Sequence, residues 1–136
     1  MILENTKNDL GAEAFSVVSK TVYPWDNVHC VRATITSLPD SMPLFDRIFC
    51  ISALEHMSVK DRQETLTQFA RKLAPGGLVV ITIDYPSVSP EELLNCASEA
   101  GLVPVDTAIV GAPPKGALFS DSMGLYIYRC VLKNKN

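Results

Sequence analysis

The chain has 136 residues, 47% hydrophobic and 20% charged, with a formal net charge of −3. That length suits one domain with a real core, and the interspersed charges, with no basic stripe, exclude a nucleic-acid partner. No apolar run approaches the roughly 18 residues that cross a bilayer, and the start, MILENTKND, has no leader pattern, so the expectation is a cytoplasmic protein without a membrane partner.

Residues 4–20 carry a weak helical pattern in which Leu10, Ala14, Val17 and Val18 share a face and Gly11 interrupts. Residues 21–27, with Pro24, read as a loop. Residues 28–35, VHCVRATI, are rich in β-branched types and predict a strand. The text TSLPDSMP that follows is too proline-rich for a long helix.

Residues 45–52, FDRIFCIS, predict the next strand; the unbroken run Ile48 to Ile51 suggests burial on both faces, as in a parallel sheet. Ser58 with Asp61 has capping-box spacing. Leu66, Phe69, Ala70 and Leu73 then repeat at i, i+3, i+4 and i+7, which predicts a helix packed on the sheet. Arg71 and Lys72 suit the negative end of its dipole, and Pro75-Gly76-Gly77 stops it.

Residues 78–84, LVVITID, predict a second buried strand. Ser89-Pro90-Glu91-Glu92 repeats the helix-start signal, and that helix runs to about Ala100 before Gly101, burying Leu93, Leu94, Ala97 and Ala100. Residues 103–110 predict a strand and residues 111–124 a surface loop. Residues 125–132, LYIYRCVL, alternate and close the sheet antiparallel. Cys30, Cys50, Cys96 and Cys130 are widely spaced with no CxxC pair, so they predict buried reduced thiols and no metal site.

Strand, helix, strand, helix, strand in this order predicts a mostly parallel α/β sheet with helices on both faces. Ligands of such sheets sit at the carboxyl ends of the strands. The polar text there is Ser52 to His56 after one strand and Asp84-Tyr85-Pro86 after the next.

At these residues the chain resembles a family. FDRIFCISALEHM looks like the fourth strand and following corner of class I S-adenosylmethionine-dependent methyltransferases of the "type 11" sort. RKLAPGGLVVIT is similar to their Pro-Gly-Gly turn into the fifth strand, and Ser37-Leu38-Pro39 before Phe45-Asp46 to their Leu-Pro and Phe-Asp junction. ALFSDSMGLYIYRCVLK is similar to the closing hairpin, so the resemblance spans residues 28–133, with residues 1–27 a poorly defined helix and loop of the same single domain, residues 1–136.

The resemblance implies a Rossmann-like three-layer methyltransferase sandwich with a C-terminal antiparallel strand, truncated at its N-terminus. It implies S-adenosylmethionine as cofactor and methyl transfer to a small-molecule acceptor. By position, Phe49, Cys50, Ile51, Ser52, Leu54 and Glu55 line the cofactor, and His56 is the candidate catalytic base. Thr34 falls at the cofactor's adenine, where the family usually has Asp. The family's glycine-rich loop and the acid ending its second strand have no counterpart read in this text. The rival expectations are a non-catalytic binding or dimerisation module and one half of a split enzyme. A homodimer or other partner is expected to cover the sheet edge left open.

Overall fold

The computed structural model describes residues 2–4, 28–106 and 117–135. The chain divides into two compact units, Met1–Pro39 and Asp40–Asn136. Of the sequence expectations, the helical pattern beyond Glu4, the loop 21–27 and residues 107–116 lie outside the described residues.

In the first unit β1 (Ile2–Glu4) runs parallel to β2 (Cys30–Arg32), with Ile2 opposite Cys30 and Glu4 opposite Arg32. The strand expected over 28–35 is therefore only three residues long. It gives way to a turn in which the Ser37 N–H donates to the Thr34 carbonyl at 3.0 Å. No strand was expected at 2–4. Three residues are too few to show a period of two, and pairing with a strand far along the chain makes the element.

The second unit is a five-stranded sheet under two helices. In chain order it comprises β3 (Phe45–Ile51), a 3-10 turn (Leu54–His56), α1 (Val59–Lys72), β4 (Leu73–Tyr85), α2 (Pro90–Glu99), β5 (Leu102–Pro104), β6 (Leu118–Ser120) and β7 (Leu125–Asn134). The sheet order is β3-β4-β7-β5, with β6 also on β7. β3 and β4 pair in parallel, and β7 is antiparallel to β4, β5 and β6. All strands but β7 thus point one way, and the C-terminal strand reverses, as the sequence predicts. The strand β6 corrects the loop expected over 111–124. It is a short edge strand held by β7, with Phe119 stacked at a tilt on Tyr126.

Both helices start where their serines predict. Ser58 Oγ accepts from the Asp61 N–H at 3.1 Å, and Ser89 Oγ accepts from the Glu92 N–H at 3.1 Å, each satisfying a backbone donor with no partner inside the helix. α1 ends at Lys72, so Leu73 opens β4 instead of closing the helix face. The chain then swings round Gly76, at φ +75°, and Gly77, where a Cβ would lie 2.8 Å from Leu73 Cδ1. The register with β3 shifts there, from Phe45 opposite Leu73 to Arg47 opposite Leu78.

Val79, Ile81 and Ile83 of β4 are fully buried, together with Leu66 of α1, Leu93 and Ala97 of α2 and Leu132 of β7. This is the core, on the helix-covered face of the sheet. The neighbouring positions on the other face are far more open: Phe49 is 67% and Ile51 57% exposed. That corrects the expectation of burial on both faces of β3, because both described helices pack against one another and leave this face uncovered. No helix among the described residues is long and apolar enough to cross a membrane.

Candidate functional site

The carboxyl ends of β3 and β4 lie side by side because the strands are parallel and in register up to Ile51 opposite Thr82. Ser52 leaves β3 at φ +42°, a left-handed conformation costing a non-glycine residue roughly 1 kcal/mol. It is pinned there: its N–H meets the Thr82 carbonyl at 3.1 Å and Thr82 Oγ1 at 3.0 Å. Its hydroxyl donates to Asp84 Oδ1 at 3.3 Å. The kink turns the chain off the sheet and into the 3-10 turn that carries Glu55 and His56.

That turn is tied down by Arg62, a residue only 4% exposed. Its Nε donates to the Leu54 carbonyl at 3.2 Å and one terminal nitrogen to the Met57 carbonyl at 3.3 Å. The other terminal nitrogen pairs with Glu92 of α2. Leu54 plugs the core beneath. The corner is thus clamped from below by one apolar residue and from the side by one guanidinium.

Within the corner Glu55 points inward. Both its carboxylate oxygens are closed off from solvent and no side chain donates to either; backbone hydrogen bonds from Glu55 itself and from Asp84 favour its charged form. Asp84, 8% exposed, is the carboxylate whose charge acts on it. Burial pushes the Glu55 carboxyl above its ordinary value, and the charge of Asp84 adds to this, against the opposing pull of nearby backbone groups and of His56. Cys50 shares the effect: burial and the Glu55 charge push its thiol up to about 12. His56 is exposed on the same turn.

The residues expected to line the site divide. Ser52, Leu54, Glu55 and His56 come together at the strand ends. Cys50 is buried on the helix side of the sheet, whereas Phe49 and Ile51 are exposed on the opposite side. Thr34 is exposed and belongs to the other compact unit. Arg62 was missed, although Arg62, Leu66 and Phe69 stand at i, i+4 and i+7, which places Arg62 on the buried stripe. No group of three or more His, Cys, Asp or Glu residues that could hold a metal ion occurs among the described residues.

A parallel strand pair, a kinked polar corner at its carboxyl ends and a reversed final strand define the Rossmann-like methyltransferase fold. The family model described as a methyltransferase domain matches residues 4–77, more than half the chain, and the chain belongs to that family. The match starts at the end of β1, so the family's text extends well upstream of residue 28.

Solved structures agree on the fold. An S-adenosylmethionine-dependent methyltransferase from Clostridium acetobutylicum is 11% identical at a TM-score of 0.63, covering 94% of this chain and 74% of its own. The N-methyltransferase NodS from Bradyrhizobium japonicum, in complex with S-adenosyl-L-homocysteine, is 15% identical at 0.69, covering 94% and 65%. A TehB-like S-adenosylmethionine-dependent methyltransferase from Corynebacterium glutamicum is 21% identical at 0.64, covering 93% and 66%. The chain therefore spans about two thirds to three quarters of the length of these proteins. No curated protein matches it.

Proposed function

We propose that the protein binds S-adenosylmethionine at the carboxyl ends of β3 and β4 and transfers its methyl group to a small-molecule nucleophile. The observation that carries this reading is the corner from Ser52 to His56, kinked over the end of a parallel strand pair in a chain of the methyltransferase family. The residues present fit such a cofactor: the carboxylates of Glu55 and Asp84 make the corner negative, and the cofactor is a sulfonium.

When bound, the cofactor supplies an activated methyl carbon on positive sulfur. The protein's part is to place the acceptor in line with it, a contribution that rests on geometry more than on acid–base strength. Ser52 and Leu54 present backbone to the ligand on a corner that Arg62 keeps from moving. Glu55 and Asp84 give the site its negative potential. His56, exposed at the mouth, carries to solvent the proton that the acceptor loses.

Calorimetric titration of the 136-residue chain with S-adenosylhomocysteine tests the reading. Micromolar binding is expected. Absence of heat from a chain shown to be folded by circular dichroism would overturn it.

A further inference from the structure

From Leu78 to Ile83 every side chain of β4 is aliphatic except that of Thr82. A strand asks only for a β-branched shape at such a position, and valine supplies it. The hydroxyl of Thr82 is therefore not needed by the strand, and it is in use elsewhere. Ser52, at the end of the neighbouring β3, sits at φ +42°, a conformation that a serine keeps only when its surroundings hold it there. The groups that hold it belong to β4.

The Ser52 N–H reaches the Thr82 carbonyl at 3.1 Å and Thr82 Oγ1 at 3.0 Å. The Ser52 hydroxyl lies 3.3 Å from Asp84 Oδ1 and 3.4 Å from Thr82 Oγ1. A hydroxyl has one proton, and that of Ser52 goes to Asp84. Thr82 is then the donor in its contact with Ser52 Oγ, while a lone pair of the same Thr82 oxygen takes the Ser52 N–H. Thr82, Ser52 and Asp84 thus form a directed chain around the kink. Both hydroxyl-to-oxygen contacts are long, so the 3.0 Å bond from the Ser52 N–H carries most of what the Thr82 side chain contributes.

The corner is consequently held at two points by two different elements. Arg62 of α1 fixes its far side through the Leu54 and Met57 carbonyls. Thr82 of β4 fixes its near side, where the chain leaves the sheet. Arg62 does not reach Ser52, so the direction in which the corner sets out depends on β4.

We propose that Thr82 is a positioning residue for the ligand corner: its hydroxyl acts through Ser52, holding the left-handed kink and thereby setting ligand affinity. The hold on Ser52 stands on the geometry alone; the effect on the ligand rests on the function proposed above. Only the kinked fraction of the protein presents the corner correctly, so apparent affinity falls in proportion as that fraction falls.

The test uses Thr82→Val, which keeps the shape and removes the hydroxyl, and Thr82→Ser, which keeps the hydroxyl. Thr82→Val is also made in a Ser52→Gly chain, because glycine enters the left-handed region freely and has no need of the hold. Each protein is titrated calorimetrically with S-adenosylhomocysteine and melted in urea. The Cα and Cβ chemical shifts of Ser52, which report its backbone conformation, are read by NMR. Thr82→Val should weaken S-adenosylhomocysteine by about tenfold and move the Ser52 shifts, whereas Thr82→Ser should stay within about threefold of wild type. In the Ser52→Gly chain the same Thr82→Val change should cost under about twofold. Thr82→Ala replaces Thr82→Val in the comparison if valine prevents folding.

Folded Thr82→Val that binds as wild type does would overturn the proposal and leave the cofactor reading standing. An equal loss in the Ser52 and Ser52→Gly backgrounds, or a loss in Thr82→Ser as large as in Thr82→Val, would overturn it too, because the effect would not run through the kink. Wild type without affinity for S-adenosylhomocysteine would refute the function proposed above and, with it, the effect on the ligand. The hold on Ser52 is then decided by NMR: moved Ser52 shifts in Thr82→Val support it, and unmoved shifts refute it.

Discussion

Arg62 Nε donates to the carbonyl of Leu54 at 3.2 Å, reaching from the first turn of α1 back to the corner that precedes it. The bond makes a buried guanidinium the fastener of a loop that the candidate site depends on. Truncation to alanine strands the Met57 carbonyl, removes one of the two donors to the Leu54 carbonyl and breaks the pair with Glu92, and the expected loss is about 2–4 kcal/mol in urea melts. Glu92→Gln removes the ion pair but keeps Arg62 on both carbonyls, so it should cost under about 1 kcal/mol. Amide hydrogen exchange separates loosening from global unfolding. In Arg62→Lys the His56 and Met57 amides should exchange faster while those of Val79 and Ile81 stay protected.

Glu55 makes stability depend on pH with a definite sign. Its folded-state value is raised, so the neutral form is favoured in the native protein. Its contribution is fully present below the unfolded value of about 4.5 and is lost as pH rises through the folded value. Glu55→Gln should therefore melt higher than wild type at pH 8, and the difference should shrink as pH falls toward 4. Parallel melting curves from pH 4 to pH 8 would contradict this.

Burial pushes the thiol of Cys50 up to about 12 and that of Cys130 up to about 11. Neither should react with iodoacetamide in native protein at pH 8, and both should react in urea. Peptide mass spectrometry gives the answer directly; labelling of either site within minutes under native conditions would mean that the helix-covered face opens readily.

Gly77 sits where an added Cβ would touch Leu73 Cδ1 at 2.8 Å and the Ala74 carbonyl oxygen at 2.9 Å. Gly77→Ala should cost about 1–3 kcal/mol by overpacking. The turn lies at the opposite end of β4 from Asp84. Ligand affinity of the folded fraction should therefore be unchanged, which calorimetry at low temperature can check.

β3 has a partner on only one edge among the described residues, and its Phe49 and Ile51 are exposed on the open face beside the other. We propose that a second copy covers this edge, since the distal half of β3, Ile48 to Ile51, is an apolar run with no charge or proline, which favours strand addition. Light scattering should give a dimer at micromolar concentration, and Phe49→Lys should return it to a monomer. A wild-type monomer at that concentration refutes the proposal.

Much of this was legible in the residues themselves. Ser58 and Ser89 marked both helix starts, Pro75-Gly76-Gly77 marked the turn into β4, and the apolar runs marked β3 and β4, because capping, turn chemistry and periodicity act over a few residues. The corner from Ser52 to His56 was legible for the same reason. The tertiary structure alone decided the rest. β1 and β6 exist because a distant strand pairs with them. Phe49 and Ile51 are exposed because both described helices lie on the other face. Glu55 and Asp84, 29 positions apart in the sequence, feel each other's charge only when β3 and β4 lie parallel, and Arg62 becomes a clamp only when α1 folds back against the corner. Charge pairing, burial and edge pairing depend on what arrives from elsewhere in the chain, and no local pattern encodes that.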